Sequence, residues 1–307
     1  MNAQILELVL VTIVTASTPL LIAAIGELVT ERSGVLNLGV EGMMIVGASV
    51  GFAAAFTTGS TFVGALAGIA AGMVLSALFA LLVLVFAANQ VACGLATTIF
   101  GIGLANLIGS GFVGQKREAA MHLEIPGLSH LPFVGTLVFG QDLFVYASYA
   151  LVAGVAWFIW RTRPGLTLRA IGDNHGSAHA LGISVRRVRF LAILFGGACA
   201  GLGGAYLSLA YTPFWSPNLT AGRGWIALAL VVFASWRPWR VAAGALLFGG
   251  ATVLQLHAQA ANIGLPGQLL SAVPYLATII ALVLLQLRRS QGAVAPAALG
   301  VPFVPDR

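Results

Sequence analysis

At 307 residues, 59% hydrophobic and only 8% charged, the chain cannot be a soluble globular protein, because such a domain carries roughly a quarter charged residues. Lipid must be the solvent for much of it, and its unit of organisation is a membrane span of about 20 mostly apolar residues. The net charge of +6 does not point to nucleic acid, since the basic residues gather in short loops between apolar runs, where a membrane protein keeps its cytoplasmic positive charge.

The apolar runs predict an all-α integral membrane protein with about nine transmembrane helices, within a range of roughly eight to ten. In chain order they are Ile5–Ile25, Val35–Phe56, Phe62–Phe86, Val91–Phe112, Leu143–Trp160, Phe190–Leu209, Trp225–Trp236, Val241–Ala261 and Leu269–Leu287. The seventh is too short to cross about 30 Å of hydrocarbon at 1.5 Å per residue, so it is tilted, extended by its flanks or a half-helix. No basic segment opens the chain as in a cleavable signal peptide. Cys93 and Cys199 stand in separate apolar runs, as packing thiols do.

Arginines set the orientation. Arg161, Arg163, Arg169, Arg186, Arg187 and Arg189 crowd one loop, and Arg237, Arg240, Arg288 and Arg289 fall on the same side two and four crossings on. That side is expected to be cytoplasmic, which places the N-terminus and the long connection Val113–Asp142 outside. Residues 1–289 then form one transmembrane domain, with a loop at 161–189. Residues 290–307, rich in alanine and proline, are expected to be a disordered cytoplasmic tail, because they offer too little apolar pattern to pack.

Several polar or small residues interrupt the spans. Gly64, Gly68 and Gly72 recur every four residues, as do Gly197 and Gly201. Such stripes admit a neighbouring backbone, either within one subunit or at a homodimer seam. Asn37-Leu38-Gly39-Val40-Glu41-Gly42 and Asn218-Leu219-Thr220-Ala221-Gly222-Arg223-Gly224 share an order of residue types and start spans from opposite sides. That is the mark of an inverted repeat. Glu41 lies about 9 Å into the second span, with Asn37 on the same helical face. An intramembrane carboxylate either lines a pore or makes a helix–helix hydrogen bond. Asn89, Gln90, Thr97, Thr98, Gln255, His257 and Gln259 could line a polar path for a hydroxylated solute, or bridge helices.

Enzyme signatures are missing from the sequence. Its one lysine, Lys116, belongs to no phosphate-binding loop, and there is neither a zinc-protease nor a nucleophile-elbow motif. His175 and His179, four apart, could flank a metal, but no third ligand stands near them in sequence, and a solvated helix explains them as well. No metal site, catalytic residue or cofactor is expected in this chain. In the basic loop, Gly172 and Gly182 read as the ends of a short helix capped by Asp173 or Asn174. Such a helix suits docking into a groove on a soluble partner, or a connector lying on lipid headgroups.

Four stretches carry a family resemblance: GELVTERSGVLNLGVEGMMIVG (26–47), NQVACGLATTIFG (89–101), GLTLRAIGDNHGSAHALGIS (165–184) and GRGWIALALVVFASWRP (222–238), with Pro274-Tyr275 beyond them. In these the chain resembles permeases of ABC importers for branched-chain amino acids, ribose-type sugars and nucleosides, and looks closest to the simple-sugar and nucleoside branch. The resemblance runs from the first span to Arg289. It implies a prokaryotic inner-membrane pore of two permeases, homo- or heterodimeric. Separate ATPase subunits binding ATP and Mg would sit inside, and a substrate-binding protein outside. The 172–182 segment would be the coupling helix, with Asn174, Ala178, Ala180 and Gly182 matching its pattern. Gly172, Asp173 and His175 would belong with these to the surface that couples to the ATPase. His175 and His179 stand where the pattern has small or acidic residues. A branched-chain amino acid permease is the alternative within the family. Outside it, an ion-coupled carrier would want more titratable groups in its spans than Glu41 and His257.

Overall fold

The computed structural model describes residues 3–120, 135–261 and 295–304, with isolated positions between 266 and 283. Among them the chain is helical and has no sheet; the β-type pairing is confined to two isolated bridges, Val113–Trp215 and Lys116–Phe214. Ten helices follow in order: α1 (Ala3–Arg32), α2 (Val40–Thr58), α3 (Thr61–Ala80), α4 (Gln90–Gly109), α5 (Leu143–Arg161), α6 (Arg163–Asp173), α7 (His175–Ala180), α8 (Val185–Tyr206), α9 (Arg223–Phe233) and α10 (Pro238–Ala260). Seven helical segments among the described residues are long and apolar enough to cross a membrane, and α9 is a shorter apolar helix. The predicted span Leu269–Leu287 and the pair Pro274-Tyr275 fall largely or wholly outside the described residues.

Polar residues at the span ends fix where the helices start. Ser60, Asn89 and Asp142 each accept a hydrogen bond from a backbone N–H of the first turn of α3, α4 and α5. Each satisfies one of the orphan N–H donors that a helix N-terminus leaves open. Two starts and stops differ from expectation. α1 does not end at Ile25 but carries Glu27, Glu31 and Arg32 inside its last two turns. The second span begins at Val40, five residues later than predicted, because residues 33–39 are not helical.

The glycine stripes close the centre of the molecule. A Cβ on Gly72 would meet Gly197 O at 2.1 Å, one on Gly201 would meet Gly68 O at 2.2 Å, and one on Gly47 would meet Gly201 O at 2.4 Å. Gly64 faces Gly51 O in the same way, and Gly204 faces Met44 O at 1.8 Å. These contacts are backbone to backbone, so α2, α3 and α8 pack at a distance that only hydrogen side chains permit. The stripes are therefore internal packing surfaces, and Gly64, Gly68 and Gly72 do not form a seam between copies. α1 packs on α8 of this trio, and on α10 and α9.

Candidate functional site

Two places concentrate the polar residues. The first is the start of α2. Glu41 is 5% exposed, and its carboxylate sits on the N-terminus of α9. Oε1 accepts from the Thr220 hydroxyl and from Gly222 N (2.9 Å), and Oε2 accepts from Gly224 N (2.6 Å). Backbone donors and the positive end of the helix dipole both favour the negative group there. The approach is tight. Gly222 is left-handed at φ +81°, preceded by Asn218 at +59° and Ala221 at +47°, and a Cβ on Gly224 would lie 2.5 Å from the Glu41 backbone.

Both helices start at this junction, α2 at Val40 and α9 at Arg223. α2 ends at Thr58 beside Gly59, whose carbonyl is held by Arg117. α9 ends at a turn with Ser235 and Trp236 both left-handed. There the Trp236 indole donates to Glu31 Oε2, while Arg32 donates through Nε and Nη2 to Trp236 O at 3.3 and 3.1 Å. The seventh predicted span is thus a half-helix of 11 residues. The two matched sequence stretches meet in space, Glu41 of the first against Thr220, Gly222 and Gly224 of the second.

Other expected path residues gather around the same non-helical loop. Asn37 is fully buried; its N–H donates to Glu27 Oε1 at 3.2 Å and its Oδ1 accepts from Gly39 N at 2.9 Å. Gln90 Oε1 accepts from Leu36 N at 2.8 Å, and Thr98 donates to Leu38 O at 2.9 Å. Thr97 donates to Cys93 O within its own helix at 2.7 Å, and Asn89 caps that helix. Gln255 stands apart on α10, which packs on α1, α9 and α5. Glu27 and Glu31, one turn apart in α1, were not singled out from sequence; each keeps one buried carboxylate oxygen with no hydrogen-bond partner among the described residues. Their signal was present in GELVTER, but a charged triplet at the end of an apolar run reads as a loop. A cleft of about 940 Å³ between α1, α5, α6 and α8 has an apolar lining that includes Val29, Leu151, Phe158 and Phe195, and none of the expected path residues borders it.

The second place is the basic loop. α6 and α7 form a short helical hairpin hinged at Asn174. The Asn174 N–H donates to Ala170 O at 2.9 Å and closes α6, while its Oδ1 accepts from Ser177 N at 2.9 Å and opens α7. Of the two cap candidates, Asp173 and Asn174, the asparagine serves. Gly182, left-handed at φ +80°, ends the segment with its N–H on His179 O at 2.8 Å. Ala178 is buried and Ala180 is exposed. Gly172 is not a helix end as expected. It lies in the last turn of α6, where a Cβ would meet Arg32 O at 2.2 Å, so it is the point where the hairpin leans on the end of α1.

Residues 295–304 correct the expectation of a disordered tail. They form a turn held by Ala298 N on Gly172 O (2.9 Å) and by Gly300 N on Gly34 O (3.2 Å). Fully buried Arg189 binds them to the loop: Nε donates to Ser33 O (3.0 Å), Nη1 to Val301 O (3.1 Å), and Nη2 to His175 Nδ1 (3.3 Å). The His175 and His179 rings both sit edge-on to Phe303 with centroids at 5.3 Å. The segment carries no periodic apolar pattern because backbone hydrogen bonds and one aromatic ring hold it. Trp215, an aromatic in the connection between α8 and α9, is 1% exposed and fills the space over Gly109.

Comparison with known proteins bears on this arrangement. The family model for the permease component of branched-chain amino acid transport systems matches residues 9–286. The chain belongs to this permease family. It is 40% identical to a putative glucose ABC transporter permease of Haloferax volcanii over 88% of each chain. It is also 30% identical to a guanosine ABC transporter permease of Bacillus subtilis and 31% identical to a nucleoside ABC transporter permease of Lactococcus lactis, each over 98% of both chains. This permease is a transport component and a multi-pass membrane protein.

Proposed function

We propose that this permease forms, with a second permease, the pore of an ATP-driven importer for sugars or nucleosides. ATP and Mg are bound by separate ATPase subunits, and solute is delivered by a binding protein on the opposite face. The observation that carries this reading is the likeness, over nearly the whole length, to permeases named for glucose, guanosine and nucleosides.

The geometry supplies a mechanical route for coupling. Closure of an ATPase dimer would push α7. Asn174 makes α7 and α6 one hairpin, and Arg189 links His175 to the loop at Ser33. Gly172 bears on Arg32, and Arg32 holds Trp236 at the far end of α9. A push at α7 therefore arrives at loop 33–39 and at the half-helix that ends on Glu41. Asn37, Glu41 and Gln90 direct polar atoms at backbone groups of this moving unit, so in this reading they hold the gate's shape rather than bind solute. Thr97 and Asn89 spend side-chain hydrogen bonds on the backbone of their own helix, and Gln255 lies apart on α10.

The test is to purify the tagged permease from its native membrane. A copurifying P-loop ATPase whose hydrolysis rises with a solute-loaded binding protein is the expected result, with nucleosides, sugars and branched-chain amino acids compared as solutes. Purification without an ATPase, combined with solute uptake into liposomes on a proton or sodium gradient, would overturn it.

A further inference from the structure

We infer that the segment 295–304 is part of the surface that receives the ATPase, completing the docking site that α7 alone leaves unfinished. This rests on the coupling role proposed above for α7. A helix of 6 residues cannot hold its own shape in water, where isolated helices under about 12 residues are marginal. What braces α7 is Phe303, in one apolar cluster with Ile171, Ala178 and Val185. The edge contacts of both histidine rings with Phe303 give the imidazoles of α7 a structural role. They are packing partners of a neighbouring segment.

The bracing also builds a surface. Leu181 at the end of α7 is 81% exposed, Val304 beside Phe303 is 65% exposed and Val301 is 44% exposed. Leu181 follows His179 by two residues and Val304 follows Phe303 by one, so the two exposed side chains flank the same ring contact. The exposed Leu181, Val301 and Val304 all lie outside the segments long and apolar enough to span a membrane. Exposed Arg186 and Arg187 border it at the start of α8. An apolar centre with a basic rim fits a soluble partner presenting an apolar groove edged by carboxylates. For a permease coupled to ATP hydrolysis, that partner is the ATPase subunit.

The experiment compares the wild-type transporter with Val304→Asp, Phe303→Ala and a chain ending at Val294, each purified from its native membrane with the ATPase subunits coexpressed. Gel filtration in detergent checks that each permease is folded, and the readout is the ATPase-to-permease ratio. Val304→Asp changes an exposed side chain and is expected to lower the ratio about fivefold or more, the effect of losing a central interface contact. Phe303→Ala and the shortened chain are expected to lower it at least as far. If Val304→Asp keeps the wild-type ratio, the segment is not part of the docking surface and the inference falls, even if the shortened chain loses the ATPase through a loosened α7. If the wild-type chain carries no ATPase at all, the proposed function fails instead.

Discussion

Gly224 is where a single methyl group tests the junction of α2 and the half-helix α9. Its N–H gives Glu41 Oε2 a hydrogen bond of 2.6 Å, and a Cβ would lie 2.5 Å from the Glu41 backbone. Gly224→Ala must push α9 away from α2 and strand a carboxylate oxygen. Overpacking of this kind costs about 1–3 kcal/mol, so thermal unfolding in detergent is expected several degrees lower, while an unchanged midpoint would mean that the two helices do not meet here. His175 offers a pH-dependent counterpart. Arg189 can only donate, so Nδ1 of the ring accepts and the docked imidazole is neutral. Burial, and secondarily the Arg189 charge, hold its pKa below the ordinary 6.5. A group whose docked pKa is depressed takes up protons more readily when released, so docking is weakened as pH falls below that ordinary value. His179 is the other titratable group on this helix, and residues 295–304 contribute no charge to the contact. Protease cleavage between Ala295 and Val304 is expected to accelerate from pH 7.5 to about 5.5, and His175→Phe, which keeps a ring beside Phe303, is expected to lose that pH dependence.

Among the elements, α9 and α7 were the most legible, for opposite reasons. α9 was readable because its apolar run is too short for the membrane, which already limited it to a tilted, extended or half-length helix. α7 was readable because Asn174 is a strong start signal and Gly182 a strong stop signal around a short segment. α1 was misread at its end because Glu27, Glu31 and Arg32 looked like a loop, and their partners Asn37 and Trp236 come from parts of the chain that no periodicity connects. The left-handed Ser235 and Trp236, which turn α9 into the Arg32 contact, also leave no composition signal. For α7 the decisive change is proline. Ser177 N binds Asn174 Oδ1 and Ala178 N binds Asn174 O. Prolines at both positions remove the two hydrogen bonds that open the helix. Uptake is expected to be abolished with membrane insertion and gel-filtration behaviour intact, and normal uptake in the double variant would remove α7 from the coupling role.

At the scale of the whole molecule, the glycines of α3 decide whether the permease is a close-packed single body or an open sheet of helices that closes only on pairing. Sequence left both readings open, because a stripe of small residues has the same spacing whether its neighbour lies in the same chain or in another copy. The contacts resolve this at particular atoms: Gly72 on Gly197 O, Gly68 on Gly47 O and Ala205, and Gly64 on Gly51 O. These partners lie in α2 and α8 of the same chain. Three consecutive turns of α3 are thereby committed to the interior, and α3 has no glycine face left to give to a second permease. Gly72→Leu must separate α3 from α8 by more than a side chain's width. Because the atom that a Cβ would meet at 2.1 Å is the backbone oxygen of Gly197, no rotamer can relieve the clash. The expected outcome is loss of folded permease, seen as a lower yield and an aggregated gel-filtration peak, with no folded monomer appearing. At a seam between copies, the same substitution would instead leave a folded monomer with the wild-type unfolding midpoint, and finding one would move the stripe to the subunit interface.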